Sequence, residues 1–99
     1  MASGTATKEK VKEKIKEPKR YHVVMHNDDF TPMDFVVGIL MEIFHKDYNT
    51  AVVLMMEVHK GQRAIVGTYS YDVAQTKVDR AMRLARHEGY PFRVTCEEA

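Results

Sequence analysis

The sequence has one cysteine, Cys96, and no tryptophan in its 99 residues. A single cysteine excludes an internal disulfide framework and fits a reducing compartment, so a cytoplasmic setting is expected. No charged-then-apolar leader is recognisable. No apolar run approaches the ~18–20 residues needed to cross a bilayer. There is no G-x-S-x-G, no phosphate-cradling glycine-rich loop and no His/Cys pairing at a catalytic spacing. Five histidines are present, yet none forms H-E-x-x-H and no Cys/His set has zinc spacing. The residues therefore point to no enzyme, no metal and no cofactor.

The hydrophobic share, 44%, is enough for one small core. Charge is unevenly placed. Residues 1–20 carry seven Lys/Arg against three Glu, and residues 21–99 carry eight Lys/Arg against eleven Asp/Glu. The first stretch has little to bury. It reads as a flexible basic tail ending near Pro18, with "MASG" resembling an expression scar. The remainder, 21–99, reads as one mildly acidic domain. That balance, with no RRM-type aromatic motif, argues against nucleic acid as a partner.

Elements follow from periodicity and punctuation. "YHVVMHN" alternates and is rich in β-formers, predicting a first strand from Tyr21. Thr31 is expected as an N-cap, with Pro32 at the first helical position and Asp34 three after the cap. A buried helix over 33–45 should follow, with Gly38 marking a close contact. Asp47 should cap a second helix, Tyr48 to Lys60, with Gly61 at its C′ position. "RAIVGTY" predicts a second strand. Ser70 should cap a third helix carrying Ala74, Val78, Ala81, Met82 and Ala85 on one face. Gly89 should end it before a third strand, "PFRVTC". The order β-α-α-β-α-β implies an α+β sandwich, with three helices on a three-stranded antiparallel sheet.

Three pieces hold the chemistry. Asn27-Asp28-Asp29 leave the first strand; Met33, Val36 and Val37 open the first helix; "LMMEVH" closes the second. Met55, Val58 and His59 lie at i, i+3 and i+4 and share one face. Taken alone, that face reads as core methionine and valine with a satisfied edge histidine. If it meets the Asn27-Asp28 turn, a different site results. An apolar floor would be ringed by acceptors: an amide carbonyl, a carboxylate and a neutral imidazole nitrogen. Such a ring suits a cationic donor beside an apolar body, as in a free peptide N-terminus with a bulky first side chain. Asp29 is assigned to bonding nearby backbone amides in the turn.

With these motifs in hand, the chain resembles the ClpS family, adaptors that deliver N-degron substrates to the AAA+ protease ClpAP. The resemblance covers residues 21–99 and rests on "NDDFTPMDFV", "LMMEVHKGQRAIVG" and "VAQTKV", in order. It implies a non-enzymatic, monomeric adaptor. Asn27, Asp28 and His59 would bind the substrate α-amine. Met25, Thr31, Met33, Val36, Met55, Val58 and Phe92 would form the side-chain pocket. Leu, Phe, Tyr and Trp are the first residues the resemblance implies, with Met33 as a gate against β-branched side chains. Asp72 and Lys77 match the contact with the unfoldase N-terminal domain, and the tail would serve delivery. Three positions depart from the pattern: His26 and Phe92 stand where aliphatic residues are common, and Lys60 follows the key histidine.

Overall fold

A computed structural model describes residues 18–99, so most of the expected tail lies outside the described residues. The strands are β1 (Arg20–His26), β2 (Arg63–Ser70) and β3 (Arg93–Glu98), and the helices are α1 (Met33–Glu42), α2 (Tyr48–Gly61) and α3 (Tyr71–His87). Their order is the one expected from the sequence. β1 is central, paired antiparallel to β2 on one side and β3 on the other. The β1–β2 register slips between Val23 and Val24.

Alternation along β1 sends Val23 and Met25 into the helix-covered core, both fully buried. His22, Val24 and His26 fall on the opposite face. Two of them clip across strands: His22 Nδ1 lies 2.8 Å from Thr68 Oγ1, and His26 Nε2 lies 2.8 Å from Thr95 Oγ1. α3 packs on all three strands through Ala74, Ala81 and Ala85. Small side chains on this face let the helix approach the sheet closely. α1 and α2 form a hairpin, with α2 against β2.

The helix ends show where local signals hold. Asp47 Oδ1 accepts from Thr50 N at 2.7 Å, the expected cap. Gly89, at φ 81°, ends α3 in a Schellman motif: Tyr90 N donates to Ala85 O and Gly89 N to Arg86 O. Other expectations are corrected. Thr31 does not cap α1; its hydroxyl bonds Asp28, and Pro32 takes the cap position. Ser70 occupies its cap position without a side-chain bond. The left-handed residue after α2 is Gln62, at φ 71°, rather than Gly61. α1 stops at Glu42, short of His45, which is itself left-handed at φ 56°. The stop is local: with His45 left-handed, Lys46 N turns back to donate to Leu40 O at 3.0 Å, and Lys77 Nζ on α3 donates to the freed Ile43 O at 2.6 Å. Gly38 marks no close contact, since a Cβ built there meets nothing within 4 Å.

Candidate functional site

Where β1 ends, α1 begins and α2 ends, the chain encloses a cavity of about 190 Å³. Its polar side carries Asn27, Asp28, Asp29, Thr31, His26 and His59; its apolar side carries Met33, Val36, Met55, Val58 and Phe92. The helical spacing of Met55, Val58 and His59 therefore does face the turn after β1. Of the pocket-wall residues named from sequence, all but Met25 line it. Met25 is fully buried within the core, as its inward position on β1 requires.

Asp28 organises the turn. One carboxylate oxygen accepts from Phe30 N at 2.8 Å and Thr31 N at 2.7 Å, and the other from the Thr31 hydroxyl at 2.7 Å. These are the bonds that sequence reasoning gave to Asp29. Asp29 is exposed, and among the described residues its carboxylate has no partner. Burial by itself would raise the Asp28 pKa. The hydrogen bonds from Thr31 and Phe30, with the positive charge of Arg86, outweigh it and hold the group below the ordinary carboxylate value. Asp28 is thus a fixed anion. A carboxylate offers about four lone-pair sites, so after three bonds one acceptor direction remains on the oxygen bound to Thr31.

Asn27 is held from two sides. Its backbone N–H donates to Gln62 O at 2.8 Å, and its side-chain NH₂ reaches His59 O at 3.5 Å. With the amide nitrogen turned to α2, Oδ1 is left as an acceptor. His59 stands in the last turn of α2, exposed, and among the described residues its imidazole has no partner. The three groups expected as acceptors are thus gathered on one cavity with accepting capacity free.

The apolar side is stiff at one end and soft at the other. Phe92 is 1% exposed and stands edge-on to Phe35, with ring centres 6.3 Å apart. Its backbone carbonyl accepts from Arg86 Nη1 at 2.9 Å, which pins the loop before β3. Met33 is exposed and unbranched, free to move over the opening.

His26, at the end of β1, borders the same cavity, while its ring is held on the other sheet face by Thr95 and Arg93. The guanidinium of Arg93 can only donate, so at 3.2 Å it makes Nδ1 of His26 the acceptor and leaves Nε2–H for Thr95. Burial, then the charges of Arg93 and Arg63, lower the His26 pKa against the opposing pull of Glu97. The imidazole is held neutral. A signal was available in hindsight: His26 and Arg93 are directly paired across β1 and β3, but only the register reveals it.

Asp72 is exposed in the first turn of α3. Lys77 is half-buried, with Nζ 5.2 Å from the Tyr69 ring centre and 5.7 Å from that of Phe44. Burial, then Arg80 and Lys46, lower its pKa. Gly67 belongs to the same arrangement, because a Cβ there would collide with the Tyr69 ring and its hydroxyl. Among the described residues, no group of three His, Cys, Asp or Glu is arranged to hold a metal. No helix described is long and apolar enough to cross a membrane.

Comparison with known proteins gives concordant results. A family model described as "ATP-dependent Clp protease adaptor protein ClpS" matches residues 16–95. ATP-dependent Clp protease adapter proteins ClpS of Paraburkholderia xenovorans and Burkholderia thailandensis are each 46% identical over 91 residues, covering 92% of this chain and 88% of theirs. The solved structure of Agrobacterium tumefaciens ClpS2 bound to L-phenylalaninamide is 35% identical and superposes with a TM-score of 0.82. It covers 84% of this chain and 100% of its own.

Proposed function

The chain belongs to the ClpS family of ATP-dependent Clp protease adaptors, and on that premise we propose that it captures proteins by a free N-terminal Leu, Phe, Tyr or Trp and delivers them to a ClpA-type unfoldase. In this reading the chain catalyses nothing and works in the cytoplasm as a monomer. Asn27 Oδ1, the open acceptor of Asp28 and the His59 imidazole receive the α-ammonium. Thr31, Met33, Val36, Met55, Val58 and Phe92 enclose the first side chain.

The observation that carries this reading is the cavity itself, with accepting groups on one side and apolar groups on the other. Each half is weak alone. Hydrogen bonds to a charged group contribute about 1.5–3 kcal/mol. Burying a Leu or Phe side chain contributes about 1.5–3 kcal/mol. Either is largely offset by the ordering of the ligand, so useful affinity requires both. That is a selectivity argument: a blocked amine or a small side chain removes one half. The ligand of the Agrobacterium relative, L-phenylalaninamide, has a free α-amine, an aromatic side chain and an amide where a chain would continue, which supports the same division.

Fluorescent peptides that begin with Leu or Phe, with and without N-acetylation, test the reading. The free-amine forms should bind in the micromolar range and the acetylated forms at least tenfold more weakly. Equal affinity for both would remove the ammonium roles of Asn27, Asp28 and His59. Asp72 and Lys77 are assigned to the unfoldase contact. Asp28→Ala should abolish substrate delivery while leaving that contact intact; an unchanged effect on the protease would make the chain a blocker of the unfoldase instead of a carrier.

A further inference from the structure

We propose that the groove between α1 and α2 holds the stretch of substrate that follows its first residue and selects an apolar side chain there. This rests on the cavity reading above and extends it beyond the terminal residue.

The groove is about 470 Å³ in volume and shares Met33 and Met55 with the cavity, so the two adjoin across those methionines. Beyond those methionines its walls are Val37, Gly38 and Met41 on α1 and Tyr48 and Val52 on α2, with Asp34 the one charged residue along it. Met41 and Tyr48 are exposed large hydrophobics. An apolar trough continuous with a ligand cavity marks a binding surface more than a scattering of single exposed residues would. Its two flanking methionines repack readily around side chains of different shape.

Gly38 supplies a second, independent observation. It lies mid-helix, where glycine is among the least favoured residues. A Cβ there would touch nothing within 4 Å, so packing within the chain does not require glycine. It does lie along this groove, and the missing side chain keeps the groove open to an occupant.

The groove's length suits an extended chain. Eight residues of helix separate Met33 from Met41, about 12 Å of groove. An extended chain advances about 3.3 Å per residue. A substrate leaving the cavity over Met33 would therefore lay about four residues along it, positions two to five.

The test uses Phe-led peptides with free amines in a Gly/Ser background, with one Leu moved through positions two to five. L-phenylalaninamide, as competitor, reports on the cavity alone. One placement of Leu should tighten binding about tenfold. Met41→Glu and Gly38→Leu, both checked for folding by circular dichroism, should each erase that gain and leave phenylalaninamide affinity unchanged. Identical affinities across the series, with phenylalaninamide still bound, would overturn the groove and spare the cavity. A gain that survives in both variants would place the downstream residue elsewhere and overturn it too. Failure of phenylalaninamide and every peptide would remove the cavity reading, and the groove with it. Self-association that Met41→Glu abolishes, with no peptide gain, would give the groove to a second copy and overturn the proposal.

Discussion

At the scale of single residues, Asp28 has two tasks. It accepts three hydrogen bonds that shape the turn, and it lines the cavity with accepting capacity left over. Its folded pKa lies below the ordinary carboxylate value. A depressed carboxylate contributes stability above its unfolded pKa, and that contribution is lost as pH falls through the folded value. Asp28→Asn should therefore lower stability at pH 7 by about 1–2 kcal/mol. It should also flatten the stability–pH curve below about pH 4, measured by urea denaturation across pH. An unchanged acid limb would deny Asp28 its role as the fixed anion. His26 moves the opposite way in charge and the same way in sign. Its folded pKa is below 6.5, so the fold favours the neutral ring. That contribution is full above the unfolded pKa and is lost as pH falls from about 6.5 toward the folded value. NMR titration of the His26 ring should give a midpoint below 6.5, and replacing Arg93 with Gln should raise it, because a neighbouring cation is removed.

At the scale of elements, two glycines and one lysine separate packing from propensity. Gly38 and Gly67 look alike in sequence, each within a regular element. Gly38→Ala adds a methyl group where nothing stands within 4 Å, and should stabilise α1 by up to about 1 kcal/mol. Gly67→Ala drives a methyl group into the Tyr69 ring, and should cost about 1–3 kcal/mol as the ring leaves its place beneath Lys77. Thermal unfolding of the two variants should shift in opposite directions. Lys77→Ala removes the donor that holds Ile43 O, so α1 should fray and stability drop by about 1 kcal/mol. A Lys77 substitution that weakened unfoldase binding would thus need a stability control. Asp72 makes no comparable tertiary bond among the described residues, and its substitution probes the proposed unfoldase contact more cleanly.

At the scale of the whole molecule, Phe92 joins the core to the cavity. It is 1% exposed, packs edge-on with Phe35 and still lines the cavity. Phe92→Leu conserves most of the packing and should cost less than about 1.5 kcal/mol. It should also enlarge the cavity and move preference among first residues toward Tyr and Trp relative to Leu, read by competition between Leu-led and Trp-led peptides. An unchanged ranking would show that Phe92 does not set the size of the side-chain site.

Much of this architecture is local and was readable in the chain. Alternation in "YHVVMH", the Asp47 cap, the Gly89 stop and the shared face of Met55, Val58 and His59 each depend on residues within a few positions of one another. Backbone hydrogen-bonding and side-chain periodicity act at that range. Other features depend on packing between distant segments. Which side chains enclose the cavity, and that Met25 is buried in the core rather than along its lining, depended on α1, α2 and β3 coming against the end of β1. Lys77 bonds a carbonyl 34 residues away, and burial, together with the Arg93 that the β1–β3 register sets beside it, lowers the His26 pKa. Adjacent carboxylates have the same local chemistry. The turn's own donors at Phe30 and Thr31 select Asp28, whereas the charges beside His26 and the walls of the cavity come from distant segments, because desolvation and long-range contacts are properties of the packed surroundings.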